Sequence, residues 1–307
     1  MSLNIENLSK KYGDNIVLNS INLTLNPGEI ISIIGSSGCG KTTLLKCISG
    51  LCDVNHGTIK INSKPIHNLS PNKRNIGYVF QESPLLPHLN IIDNIVFNMK
   101  YYNEDKLNYL LEKIQIKHLK KRYPYEISGG ENQRIAVVRS LIRNPDLFLL
   151  DEPFSNLDKL TKEHTKELIF NIIKETNTTT MIVNHDIQDS LELSDRVLVL
   201  DKAKINMLDT PLKVYSEPSN LNTAKLFGEL NSLKIKDKNI YFRPQDVDLV
   251  EESDIQAQVV RSKFVGIFYK TIAKIGEENV IIYHKKKLKI NTKIYLHIKP
   301  KKQLYFQ

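Results

Sequence analysis

EIISIIGSSGCGKTTLLKCISGL, residues 29–51, is the stretch on which the reading of the whole chain turns. It opens with an Ile-rich apolar run, the texture of a strand buried on both faces. It closes with a helical pattern, KTTLLKCISGL, that stops near Gly50. Between them GSSGCGKTT (35–43) fits G-x-x-x-x-G-K-[ST] in the strand–loop–helix context that the pattern requires. The glycines let successive N–H groups of Gly35, Ser36, Ser37, Gly38, Cys39 and Gly40 turn inward on phosphates. A helix beginning near Lys41 adds the positive end of its dipole. Lys41 would reach the β- and γ-phosphates of a nucleotide, and the Thr42 hydroxyl, followed by Thr43, would ligate Mg²⁺. A glycine turn without a nucleotide is the alternative; chance matches rarely fall in this context.

Further along, LFLLDEP (147–153) reads as a buried strand ending in two acids. That end is where α/β sheets bind ligands. Asp151 would hold the Mg²⁺ shell, commonly through water, and Glu152 would polarise an attacking water; two acids merely capping an exposed strand are the bland alternative. Gln81 ends the strand GYVF, where its amide would touch Mg²⁺ and water. His185 follows the apolar TMIV and reads as a γ-phosphate sensor, against the commoner structural role of a lone histidine. Tyr12, in KKYGD, offers a ring that would stack on a base, against an ordinary core or surface tyrosine. ISGGENQR (127–134) sets two glycines behind a serine at a helix start. Its bare N–H groups would suit a second anion.

The 307 residues suggest about two domains. Residues 1–228 alternate strand and helix patterns, with a helical stretch at about 85–144 that includes IIDNIVFNMKYY, EDKLNYLLEKIQI and ENQRIAVVRSLIRN. Residues 229–307 change to short alternating strands, the pattern of a small all-β barrel, and the closing QLYFQ reads as a continuation of the last strand. The net charge of +9 is concentrated there, 16 Lys and Arg facing 9 Asp and Glu in 229–307, notably in HKKKLK (284–289). A basic face could meet nucleic acid or an anionic membrane; without an aromatic platform a solvated lysine-rich face is favoured. Cys39, Cys47 and Cys52 fit no common zinc spacing and read as reduced thiols of a cytosolic protein. No apolar run approaches the roughly 18 residues of a membrane span, and the first residues show no secretion signal.

The order GSSGCGKTT, Gln81, ISGGE, LFLLDEP, SNLD (155–158) and His185 resembles the ATP-binding subunit of an ABC transporter along the whole chain. The resemblance implies a P-loop α/β ATPase with a helical subdomain, and two subunits packed head to tail on two ATP molecules. Ser128, Gly129, Gly130 and Glu131 would then meet the γ-phosphate held by the partner's P-loop, and Asp158 would lie in the loop crossing the dimer interface. The signature commonly reads Leu-Ser-Gly-Gly-Gln; here Ile127 and Glu131 stand at its ends, and Asn184 precedes His185 where Thr is usual. VFQESPLLPHLNIIDNIVF (79–97) is similar to importers, and its loop would receive a separate membrane permease, fed by a solute-binding protein. The tail looks like the transport-associated OB domain of importers of sugars, polyamines, sulfate and ferric iron. EPFSNLD and KLFGELN are most similar to ferric-iron subunits, with polyamine next. A homodimer on the cytoplasmic face of the membrane is expected, with no nucleic acid partner. The rival reading, a soluble ABC ATPase of translation or DNA repair, usually carries tandem cassettes or long coiled-coil insertions.

Overall fold

The computed structural model describes residues 2–82, 84–235 and 238–306. Ser83, in the Pro-rich loop expected to receive a permease, and Gln307, the last residue of QLYFQ, lie outside them. The chain forms two compact units, Met1–Leu212 and Lys213–Gln307.

In the first unit β1 (Leu3–Tyr12) and β2 (Asn15–Leu25) form an antiparallel hairpin, followed by β3 (Ile30–Ile34) and α1 (Lys41–Ser49). Next come β4 (His56–Ile61), β5 (Lys64–Pro65) and β6 (Ile76–Val79). Three helices follow, α2 (Ile91–Ile95), α3 (Glu104–Lys113) and α4 (Gly129–Leu141). The unit continues through β7 (Leu147–Asp151), α5 (Lys159–Glu175), β8 (Thr180–Val183) and α6 (Ile187–Leu193) to the hairpin β9 (Arg196–Asp201) and β10 (Lys204–Asp209). One sheet has the order β2-β1-β4-β5, the other β10-β9-β3-β8-β7-β6. From β9 to β6 the second sheet is parallel, and β10 runs antiparallel along β9.

Alternation along the central strands explains the layering. Leu147 and Leu149 of β7 pack with α1 and the antiparallel sheet, while Phe148 and Leu150 pack with α2 to α5. Met181 and Val183 of β8 take the first side and Ile182 the second. A period-two backbone with apolar residues at every position must be covered on both faces. Burying a side chain such as Phe148 stabilises by about 2–3 kcal/mol.

The helices begin where the sequence supplies caps. Asn90, Asn103, Ser128, Asp158 and Asp186 accept backbone N–H groups at the starts of α2 to α6. α1 ends differently. The buried guanidinium of Arg74 donates to the carbonyls of Cys47 and Ile48, both at 2.9 Å, and to those of Leu69 (2.8 Å) and His67 (2.9 Å). It thus places a cation at the negative end of the helix whose other end faces the cleft.

The helical run IIDNIVFNMKYY is helical only as far as Ile95; Asn98 adopts φ +57°, and Arg143 Nη2 takes the Phe97 carbonyl at 2.5 Å. The antiparallel sheet built from the first 25 residues and 56–65 has no counterpart in the sequence reading.

The second unit takes in most of α7 (Pro211–Ser216) and the whole of α8 (Leu221–Leu226), then a two-stranded ribbon, β11 (Asn231–Ile235) with β12 (Lys238–Phe242). A five-stranded antiparallel sheet follows: β13 (Val247–Val250), β14 (Ile255–Phe264), β15 (Tyr269–Ile275), β16 (Glu278–His284) and β17 (Lys293–Ile298), in the order β13-β17-β14-β15-β16. Phe242, Val259, Ala273, Val280, Ile282 and Leu296 fill its core. Arg243 joins this unit's helices to its strands. Its buried guanidinium lies 4.0 Å from the Tyr215 ring centre and donates to the carbonyls of Tyr215 (3.2 Å) and Phe227 (3.3 Å). Lys285, Lys286, Lys287 and Lys289 are exposed. QLYFQ does not continue β17: a turn at Pro300–Lys302 intervenes, and Leu304 bridges to Tyr241 instead.

Replacing Arg74 by Met strands four buried or half-buried carbonyls at once. We expect a loss of about 3 kcal/mol, read as a lower midpoint in urea unfolding.

Candidate active site

Because β3, β6, β7 and β8 run parallel, their C-terminal ends open on one edge. At that edge Lys41 opens α1 and Asp151 closes β7, while the loops carry Gln81, Glu152 and His185. A cleft of about 390 Å³ opens there, lined by Val17, Ser37, Gly38, Gly40, Lys41, Thr42, Thr43, Gln81, Glu152 and His185, with Asp151 just behind it, bonded to Thr42. The loop 35–40 curls over the start of α1. Gly40 has φ +107°, and a Cβ there would lie 2.6 Å from the Val17 carbonyl oxygen, so only glycine fits. Lys41 is 7% exposed, and its Nζ donates to the carbonyls of Gly35 (2.9 Å) and Ser36 (3.0 Å). Ser37 and Gly38 face the cleft, whereas the Cys39 side chain turns into the core. Burial raises the Cys39 thiol pKa, so that residue presents no thiolate.

The two acids differ in surroundings. Asp151 is buried at the end of β7. Its Oδ1 accepts from Thr42 Oγ1 at 2.9 Å and its Oδ2 from the Tyr78 hydroxyl at 3.0 Å. Burial and the adjoining Asp151 charge push the Tyr78 phenol well above its usual range, which keeps it a donor. Glu152 is held between two loops: Gln81 Nε2 donates to its Oε2 at 3.2 Å, and His185 Nε2 lies 3.3 Å from its Oε1. Glu152 also adopts φ +49°, a left-handed conformation unusual for a non-glycine residue. Its N–H is anchored on the Val183 carbonyl at 3.1 Å. Strain of this kind persists where the surroundings over-determine it, and it gathers at functional sites. Asn184 reaches back to Ser32 Oγ at 3.1 Å, fixing the start of the loop that carries His185.

Other predicted residues lie elsewhere. None of Ser128, Gly129, Gly130, Glu131 or Asp158 lines this cleft. Ser128 and Glu131 close a reciprocal cap at the start of α4: Ser128 N–H and Oγ donate to Glu131 Oε2 at 2.8 and 2.9 Å, and Glu131 N–H donates to Ser128 Oγ at 3.3 Å. The two glycines divide in role. A Cβ on Gly130 would lie 2.4 Å from Thr161 Cγ2, so this glycine lets α4 meet α5; on Gly129 the nearest atom is Leu157 Cδ2 at 3.6 Å. Asp158 caps α5, accepting from Leu160 and Thr161 N–H, both at 3.2 Å. Tyr12 is 51% exposed at the end of β1, and its hydroxyl shares a hydrogen bond of 3.2 Å with Cys52 Sγ.

Two features escaped the sequence reading. Tyr78 is one: a lone tyrosine in an aliphatic strand three residues before Gln81 was the available signal. The second is the ionic tie between α5 and α6. Lys162 bonds Asp186 (2.7 Å) and Asp189 (2.8 Å), and Lys166 bonds Asp189 (3.0 Å), Glu163 (2.8 Å) and Glu192 (3.3 Å). Burial favours the neutral amines, but the hydrogen bonds and charges of the carboxylates prevail and hold both lysines charged. Because Asp186 follows His185, the tie fixes the far side of the histidine loop.

Residues 18–155 match the family model described as ABC transporter. The chain is 36% identical to the sulfate/thiosulfate import ATP-binding protein CysA of Pectobacterium atrosepticum, covering 92% of this chain and 90% of that one. It is 34% identical to the Fe(3+) ions import ATP-binding protein FbpC of Fusobacterium nucleatum subsp. nucleatum, over 98% and 92%. With the maltose/maltodextrin import ATP-binding protein MalK of Vibrio vulnificus the identity is 32%, over 97% and 85%. Among solved structures, cbiO1 from Clostridium perfringens, part of the ABC transporter complex cbiONQ, matches with a TM-score of 0.64 and 28% identity, over 71% of this chain and 91% of that one. The ATP-binding cassette MJ0796, a dimer in a post-hydrolysis state bound to ADP and Pi, matches with a TM-score of 0.59 and 28% identity, over 68% and 98%. The fold is that of a P-loop ATPase. The chain belongs to the ABC transporter family, among the ATP-binding subunits of importers.

The glycine geometry gives a direct test. Gly130→Ala must push α4 from α5 and should cost about 1–3 kcal/mol, whereas Gly129→Ala should leave the unfolding midpoint nearly unchanged. Thermal unfolding of the two variants decides it.

Glu131 gives a pH test. Burial raises its pKa, but the Ser128 hydrogen bonds, with Arg134 and His118, outweigh it and hold the carboxyl below its unfolded value of 4.5. The stability it contributes is therefore present above that value and lost as pH falls through the lower folded one. Glu131→Gln should be destabilising near neutral pH, with the gap to the parent closing in acid, measured by urea unfolding across the range.

Proposed function

We propose that this chain is the ATP-hydrolysing subunit of an importer, which closes as a head-to-tail homodimer on two ATP molecules and drives solute uptake through a separate membrane permease. The observation that carries the proposal is the division of the predicted residues. Lys41, Thr42, Gln81, Glu152 and His185 line one cleft, while Ser128, Gly129 and Gly130 crown a helix start outside it. A second subunit turned head to tail would bring that helix start, with its partial positive charge, to the γ-phosphate in the first cleft. Loss of the γ-phosphate would then loosen the pair, which is how differential affinity does work.

Within the cleft, the loop 35–40 and Lys41 would hold the β- and γ-phosphates, and Tyr12 would stack on the base. Thr42 and Asp151 present hard oxygen atoms side by side, which suits Mg²⁺. They would hold the ion, Asp151 commonly through water, with Gln81 at its edge. A bound Mg²⁺ would neutralise charge developing on the phosphates. Glu152, set between Gln81 and His185, would orient the attacking water, and His185 would stand at the γ-phosphate. Asp158 would lie at the subunit interface.

Among the described residues no helix is long and apolar enough to cross a membrane. We place the subunit on the cytoplasmic face of the membrane, working with a permease that a solute-binding protein supplies. For the cargo we put ferric iron first, on the similarity of EPFSNLD and KLFGELN. Relatives named for sulfate/thiosulfate and maltose match to a similar degree, so an uptake panel should hold all three, with polyamine. The second unit would be the transport-associated OB-like domain.

Glu152→Gln should bind ATP, hydrolyse it at most at about a hundredth of the parent rate, and accumulate an ATP-held dimer. Light scattering with ATP and Mg²⁺ reads the dimer; a variant that stays monomeric argues against the sandwich. Affinity purification in mild detergent from native membranes should recover a polytopic permease.

A further inference from the structure

We infer that Tyr78 is a positioning residue for Asp151: its hydroxyl secures Oδ2, so that Oδ1, together with Thr42, stays aimed at the Mg²⁺ of the bound nucleotide. The inference rests on the reading of Asp151 as the acid that faces Mg²⁺.

The strand register makes the contact. Tyr78 of β6 lies opposite Leu149 of β7. Side chains repeat on one face every second residue, so Leu149 and Asp151 share a face, and Tyr78 stands beside both. The phenol therefore meets the carboxylate diagonally across two paired strands, at 3.0 Å. Its ring is held from two sides. Tyr78 packs against the core around α1, and the Phe80 ring lies 4.4 Å away.

The surroundings of Asp151 show what the contact is for. The carboxylate is 5% exposed, and among the described residues no lysine or arginine forms an ion pair with it. Its side-chain partners are two neutral hydroxyls, one on each oxygen. A buried carboxylate whose charge the protein leaves unmatched is poised for a cation. The two hydroxyls are not equivalent. Thr42 belongs to the cleft and would turn a lone pair to the ion while still donating to Oδ1. Tyr78 lies behind the strand ends and does not line the cleft. Its hydrogen bond would persist when the ion binds and would fix the plane of the carboxylate, as outer partners of metal ligands do.

Binding of ADP, which is not consumed, tests this by calorimetric titration of the whole chain, once with Mg²⁺ and once with EDTA. Tyr78→Phe keeps the ring and removes only the hydroxyl. We expect it to weaken binding about tenfold with Mg²⁺ and to leave binding in EDTA unchanged. Asp151→Asn should also weaken binding only with Mg²⁺, and the double variant should be no weaker than Asp151→Asn alone, because Tyr78 acts through that carboxylate. Parent-like binding by Tyr78→Phe with Mg²⁺ would overturn the inference. So would an equal loss in EDTA, which marks a merely structural role, or a loss that adds in full to that of Asp151→Asn. If Asp151→Asn keeps the parent's Mg²⁺ dependence, the reading of Asp151 fails, and the inference with it.

Discussion

A sheet with both faces covered leaves polar chemistry only its ends, and this constraint shapes the first unit. Along β7 and β8 every residue has a neighbour above or below, so no charged group fits there until the strand stops. Asp151 is the last residue of β7, Gln81 comes just after β6, and His185 just after β8. Parallel pairing puts these ends together, and an antiparallel core would have scattered them. The polar cleft is thus a consequence of apolar packing.

How much of this was legible follows from the same constraint. The strand at 29–35, the loop at 35–43 and the strand ending at Asp151 could be read because each couples an apolar run to a polar stop. The antiparallel strands of the first 25 residues could not: LNIENLSKKY and NIVLNSINLTL mix polar and apolar positions, and several register shifts break the alternation between them. The sequence likewise offered Gln81, Glu152 and His185 as separate candidates. That Gln81 and His185 both lean on Glu152 depends on the spacing of three strands. Tyr78 was hidden for a different reason. In an aliphatic strand a tyrosine counts as core until its hydroxyl is found on a carboxylate.

The glycines after Ser128 show how a motif can mislead when read as one unit. Both invite the same explanation, a backbone left bare for phosphate. Yet Gly130 is already required by the approach of Thr161 across the α4–α5 contact, so its presence says nothing about a ligand. Gly129 has room for a methyl group and carries no such structural need. Glu131 can be judged in the same way. Its carboxylate holds Ser128 by both N–H and hydroxyl, so a phosphate arriving at that helix start would have to compete for those donors.

The edge strand β6 binds these pieces into one mechanical unit. It is short and has a neighbour on one side only, yet Tyr78 holds Asp151, and Gln81 just beyond it holds Glu152. The loop that follows is in turn pinned to α4, where Arg139 donates to the Pro84 carbonyl at 3.0 Å, and Ser128 caps the start of α4. Gln81 thus ties β6 to the strained backbone at Glu152, and Arg139 ties Pro84 to α4, whose start lies outside the cleft. In the proposed dimer, the residues that would orient water and those that would meet a partner's phosphate are thus joined through one strand and one helix.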